Sequence, residues 1–133
     1  MTRLRRYFPQ LLVGIGLLVY ANSFHGPFLF DDQLAIQENS HLHHLWPIRN
    51  VLTAPANTPT AQRPVVSLSL AVNYAISGLE VWSYHLVNIS LHLLSALLLY
   101  GIVRRTFLGA RFFGQWRRDA AELALAVSLL WVV

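Results

Sequence analysis

From Trp82 to Val103 no side chain carries a formal charge. A helix rises 1.5 Å per residue, so about 20 apolar residues cross a hydrocarbon core about 30 Å thick. The segment is long enough to span, and a chain that contains it must satisfy its backbone polar groups internally at that depth. Trp82 and Tyr84 mark one interface, and Arg104 with Arg105 the other, as aromatic belts and flanking arginines do. Composition agrees. Hydrophobic residues make up 55% of the 133, charged residues 12%, and the mean hydropathy is +0.45, where soluble domains carry about 25% charged residues. With no cysteine, the chain has no disulfide or thiolate chemistry.

A second apolar stretch, Tyr7 to Phe24, has the uninterrupted core LLVGIGLLVY and aromatic residues at both ends. It reads as the first span. Its arginine-rich start and the Val19-Tyr20-Ala21 step also match a cleavable signal peptide. A third apolar segment begins near Ala120 and reaches Val133. At that length it is half a span, which predicts a chain truncated inside its third helix. The fold class expected is an all-α membrane protein. It has two full transmembrane helices (7–24 and 82–103), a long loop at 25–81 with an interfacial amphipathic helix, and the start of a third span at 120–133, all within one multi-spanning domain. Internal repeats are absent.

Charge sets the orientation. Arg3, Arg5 and Arg6 precede the first apolar stretch, and Arg104, Arg105, Arg111, Arg117 and Arg118 follow the second. The intervening loop holds Asp31, Asp32, Glu38 and Glu80 against Arg49 and Arg63. Basic loops stay cytoplasmic, so the N-terminus and residues 104–118 are expected inside and residues 25–81 outside. Phe107, Phe112, Phe113 and Trp116 would lie on the inner membrane surface. The net charge of +4 does not read as nucleic-acid binding, because the arginine clusters are short and flank apolar spans.

The outer loop opens with GPFLFDDQLAIQEN, residues 26–39. The adjacent carboxylates Asp31 and Asp32 follow an apolar run just outside the first span. There they escape the cost of about 2.5–3.5 kcal/mol for a charge at the bilayer centre, yet stay close to anything anchored in lipid. They read as the chemical centre of a membrane enzyme; the plain alternative is a solvated loop. Pro27, Pro47, Pro55 and Pro59 punctuate the loop. His41, His43 and His44 form a His-x-His-His cluster with no cysteine nearby, a weak metal signal. From Pro64 to Glu80 the pattern turns helical, with Pro64 at the first position and Gly78 as the stop. Ser69, Asn73, Ser77 and Glu80 lie on one face and Val65, Leu68, Ala71, Val72, Ala75, Ile76 and Leu79 on the other, as in a helix lying in a membrane interface. An ordinary core helix gives the same pattern. In the long apolar segment, His85, Asn88, His92 and Ser95 recur at spacings of three, four and three, a single helical stripe. Such a stripe faces a wet cavity, where His85, Asn88 and His92 would contact substrate, or glues helices together. The sequon Asn88-Ile89-Ser90 lies inside the span and is expected to be unmodified.

The order FLFDDQLAIQEN, then QRPVVSLSLAVNYAISGLEVWSYHLVNISLHLLSALLLY, resembles the first segment of the multi-spanning family of transmembrane and tetratricopeptide-repeat O-mannosyltransferases and their bacterial relatives. These are similar to GT-C glycosyltransferases. The resemblance runs from about Tyr20 onward, in the Asp-Asp context, the Arg-Pro step, the Asn-Tyr pair and the His-Leu-Val-Asn run. It implies a multi-pass protein of a bacterial inner membrane that transfers a sugar from a polyprenyl-phosphate carrier to a protein or glycan acceptor at the outer face. The family's catalytic acids in the first outer loop match Asp31 and Asp32, and its Arg-Pro at the head of the interfacial helix matches Arg63-Pro64. The family's remaining spans and helical repeats are missing from this chain. Transfer to a hydroxyl needs a base and stabilisation of a cationic sugar. Asp31 is assigned as base and Asp32 as the supporting partner, facing a divalent metal if one binds. Arg63 is assigned to the carrier phosphate, which a guanidinium grips bidentately. Two other classes stay open: a non-catalytic membrane scaffold subunit, and a transporter fragment whose intramembrane His and Asn mark a substrate path.

Overall fold

The computed structural model describes residues 2–53 and 55–133, with side chains from Leu4 onward; the side chain of Arg3, counted above in the first basic cluster, lies outside them. Every regular element among the described residues is helical. Seven α-helices follow in order: α1 Thr2–Arg5, α2 Phe8–Tyr20, α3 Ile48–Leu52, α4 Pro64–Ser77, α5 Val81–Leu108, α6 Gln115–Arg118 and α7 Ala120–Val132. Short 3-10 turns occupy Ala21–His25 and Ser40–Leu42, and a π-helical turn Gln33–Gln37. The chain divides into two compact units, one Ser23–Leu86, the other Val87–Val133 with the chain up to Asn22.

Among the described residues α5 alone is long and apolar enough to cross a membrane, with 28 residues and a mean hydropathy of 2.0 over an 18-residue stretch. It runs about 42 Å and continues past the expected end at Val103, so Arg104 and Arg105 lie within it. Its Leu91, Leu94, Leu98 and Ile102 face outward at helical spacing, where a water-facing helix would carry polar groups. The expected first span is not confirmed as one helix of spanning length. α2 has 13 residues, about 20 Å, and the chain tightens into the 3-10 turn from Ala21.

In the unit that holds them, α2 packs along α7. Leu12, Ala96 and Val132 form the core, flanked by Ile15, Leu97, Leu125 and Leu129. Gly16 is buried there. A Cβ on it would collide with Leu93 Cδ2 and lie 3.2 Å from Val132 Cγ1, so a larger residue here must push those side chains aside. At the far end of α2 the Arg5 guanidinium pairs with Glu122 at 2.7 Å and donates to the Arg118 carbonyl at 2.9 Å.

In the other unit two small cores form. Phe28, Ala35, Ile36 and Tyr84 make one, with Leu70 and Val81 against it; Leu42, Val51 and Ala71 make the second. Helix α4 starts on Pro64 and stops at Gly78, as its sequence predicts. Gly78 takes φ +59° and ψ −126°, a region essentially closed to residues with a Cβ. The Tyr84 hydroxyl donates to the Gly78 carbonyl at 2.7 Å and clamps that turn. The polar face of α4 divides. Ser67 and Asn73 are buried and Ser69 is exposed, while Val65 and Ile76 are each 79% exposed and Val72 is exposed. The outward stripe of α4 is therefore apolar.

Candidate functional site

The acid pair stands on a turn held from both sides. Before it, Phe28 is buried and meets Tyr84 edge-on with centroids 5.3 Å apart. His85 Nε2 donates to the Gly26 carbonyl at 3.2 Å, which fixes the ring's protonated nitrogen because a carbonyl only accepts. After it, Ala35 and Ile36 bury on the same core. The Asp32 N–H closes onto the Leu29 carbonyl at 3.0 Å, and Asp32 Oδ2 accepts the Leu29 N–H at 3.3 Å. Asp32 is thus half-buried and locally engaged, while Asp31 is exposed and its carboxylate has no hydrogen bond among the described residues. The two acids differ in surroundings: Asp32 is tied to the turn and Asp31 is presented.

Arg63 caps α4, exposed, and its side chain makes no hydrogen bond or ion pair among the described residues. Asp31, Asp32, Arg63 and His85 all belong to the unit Ser23–Leu86, whereas Asn88 and His92 belong to the other. The stripe on α5 is divided in its contacts. His85 holds the Gly26 loop. His92 lies 3.4 Å from the Tyr20 hydroxyl and stacks on Trp131 with centroids 5.9 Å apart. Asn88 and Ser95 are exposed, and the Ser95 hydroxyl returns to the Leu91 carbonyl of its own helix at 2.8 Å.

The histidine cluster of the loop is also dispersed into structural contacts. His43 Nε2 donates to the Ile36 carbonyl at 3.0 Å and its ring stacks on Tyr74 at 4.2 Å. His41 Nδ1 approaches the Asn50 carbonyl at 3.4 Å. Among the described residues no three His, Asp or Glu side chains gather as metal ligands.

A cleft of about 540 Å³ opens beside the Gly26–Pro27 step, lined also by Phe24, His25, Glu80 and Trp82. Neither Asp31 nor Asp32 lines it. Sequence reasoning passed over Glu80 and Trp82 as functional residues. A carboxylate beside a half-exposed indole two positions away was the available signal, since such a pair offers a hydrogen-bond acceptor and an apolar face to one ligand. Tyr20, Tyr84 and Trp131 were read as interface markers or not at all, and their contacts with His92 and Phe28 emerge only in three dimensions.

No known family profile matches the chain, and no solved structure does. Curated relatives do. Protein O-mannosyl-transferase TMTC2 of Mus musculus is 36% identical over 86 residues, 59% of this chain and 10% of the relative. TMTC4 of the same organism is 30% identical over 139 residues, 96% of this chain and 19% of the relative. TMTC3 of Homo sapiens is 34% identical over 90 residues, 62% of this chain and 10% of the relative. The chain is thus similar to proteins named as protein O-mannosyl-transferases, and it spans about a tenth to a fifth of the length of these relatives.

Proposed function

We propose that this chain forms part of a multi-pass, GT-C-like glycosyltransferase that moves a sugar from a polyprenyl-phosphate donor to a protein or glycan acceptor at the outer face of an inner membrane. The observation that carries the reading is the presented Asp31 on a turn held by His85 and Tyr84, within a sequence similar to O-mannosyl-transferases. In this reading the Asp31 carboxylate takes the acceptor hydroxyl proton as the oxygen bonds to the anomeric carbon. The bond from the anomeric carbon to the phosphate oxygen breaks, and the polyprenyl phosphate leaves with the electron pair. Asp32, held by the Leu29 N–H, supports the cationic sugar. If a divalent cation binds, the remaining oxygen of Asp32 would help to hold it, and the ion would supply positive charge to the leaving phosphate. Arg63, at the positive end of α4, is placed to meet the carrier phosphate. In this reading His85 serves the site by holding the Gly26 loop that leads to the acids.

Membrane embedding rests on α5 and on the outward apolar stripes. α2 with its 3-10 continuation makes the second crossing, α4 lies with Val65, Val72 and Ile76 in the interface, and the N-terminus is cytoplasmic. Reporter fusions after Asn57 and after Gly109 are expected to report opposite compartments, outside and inside. The same compartment for both would defeat the topology.

A further inference from the structure

We propose that a cleft in the unit Val87–Val133, with the chain up to Asn22, binds the phosphate headgroup of an anionic phospholipid. The cleft measures about 510 Å³ and is lined by Arg5, Arg6, Arg104, Arg117, Arg118 and Tyr100, with the rest of its wall apolar. Among the described residues, of the five arginines only Arg5 is neutralised, by Glu122 at 2.7 Å. That pair and the bond from Arg5 to the Arg118 carbonyl hold the wall in place. Arg6 lies over the neutral Tyr7 ring at 4.6 Å. Arg104, Arg117 and Arg118 are exposed and make no side-chain hydrogen bond or ion pair among the described residues. Four uncompensated guanidinium groups around one cavity repel one another, and a phosphate relieves that repulsion through bidentate, charge-assisted bonds.

The depth of the cleft selects a lipid over a free anion. Arg104 follows the last apolar residues of α5 directly, and the lining residue Pro9 opens the apolar run of α2. The cavity therefore lies where hydrocarbon gives way to headgroups, in the reading of α5 as a span. Phe107 packs on Phe112 and Trp116, and Phe113 and Trp116 are exposed beside this level, as interfacial anchors are. Outward Leu98 and Ile102 on α5 leave an apolar path for acyl chains. Basic pockets between helices on the cytoplasmic side bind anionic headgroups in this way.

The inference rests on the membrane reading but not on the transferase reading. The test is native mass spectrometry of the full chain in detergent, titrated with phosphatidylglycerol or with phosphatidylcholine of the same acyl chains. Phosphatidylglycerol is expected to bind with clear preference. Each arginine near an anionic lipid contributes about fivefold in affinity, so the triple variant R104Q/R117Q/R118Q is expected to lose roughly a hundredfold for phosphatidylglycerol and little for phosphatidylcholine. Should the triple variant not fold, the exposed single change Arg104→Gln is expected to lose about fivefold. Arg111→Gln, which removes an arginine that does not line the cleft, is expected to change nothing. Equal binding of the two lipids, or an equal loss in Arg111→Gln, would overturn the site. Displacement of the lipid by millimolar inorganic phosphate would show a free-anion site and overturn the lipid assignment. Failure of the chain to float with liposomes would defeat the membrane reading itself; flotation with no headgroup preference would defeat only the cleft.

Discussion

Under the proposed function, Asp31→Asn in the full-length protein is expected to abolish sugar transfer while leaving insertion and expression intact. Loss of a general base costs on the order of 10²–10⁴ in rate. The side chain is exposed and makes no hydrogen bond among the described residues, and the amide keeps its shape, so folding is little affected. Asp32→Asn is expected to cost less. Its amide oxygen still accepts from the Leu29 N–H, which the carboxylate meets at 3.3 Å. Arg63→Lys is expected to weaken use of the lipid carrier, because an ammonium cannot reproduce a two-point contact. The measurement is transfer from membrane vesicles carrying each full-length variant at matched protein level. Near wild-type rates for both Asp variants would reduce the acid pair to a solvated loop and end the catalytic assignment.

The largest stability effect is expected at Gly16. Its added Cβ meets Leu93 and Val132, both in the packed core of the unit, and overpacking of this kind costs about 1–3 kcal/mol. Gly16→Ala is therefore expected to destabilise, and Gly16→Ile to disrupt the packing of α2 against α7. The neighbouring Gly14 provides the control. Nothing lies within 4 Å of its added Cβ, and alanine is favoured over glycine in a helix interior by about 1 kcal/mol. Gly14→Ala is expected to stabilise. Chemical unfolding in detergent, followed by far-ultraviolet circular dichroism, reads both. Equal effects of the same sign would show that close packing at Gly16 is not what the glycine serves.

Much of this was legible in the residues. Pro64 and Gly78 bound α4 because each has a conformational reason to stand at a helix end. The length of α5 followed from an absence of charge, although its end did not. Arg104 and Arg105 close the apolar run but are good helix formers, so the helix continues to Leu108. The first apolar stretch was read as one helix, since hydrophobicity alone does not register the tightening at Ala21. The faces of α4 were separable by periodicity, but not their surroundings. Small Ser67 and Ala71 and the amide of Asn73 fit against α3 and the loop, and bulky Val65 and Ile76 do not. At the site, the Asp-Asp sequence singles out the two acids, with Asp31 assigned as base and Asp32 as support. The backbone N–H from Leu29 that holds Asp32 was not legible, because it arises only when the turn closes. The stripe on α5 was correctly a helical row, yet a row fixes no partner. His85 and His92 find theirs in segments some sixty and seventy positions earlier, at Gly26 and Tyr20.

The π-helical turn Gln33–Gln37 is closed by the Glu38 N–H reaching back five residues to the Gln33 carbonyl at 2.9 Å. That ring holds one residue more than an α-helical one. The segment therefore has a counting property as well as a composition. A homologous loop shorter by one residue here closes as an ordinary α-turn, and at about 100° per residue its paired acids are rotated against the anchors Ala35 and Ile36. When sequences are aligned across this loop, a single gap between Gln33 and Glu38 marks an α-turn in place of the π-turn, and with it a changed angle between the acids and Ala35 and Ile36 while both aspartates stay in the same columns.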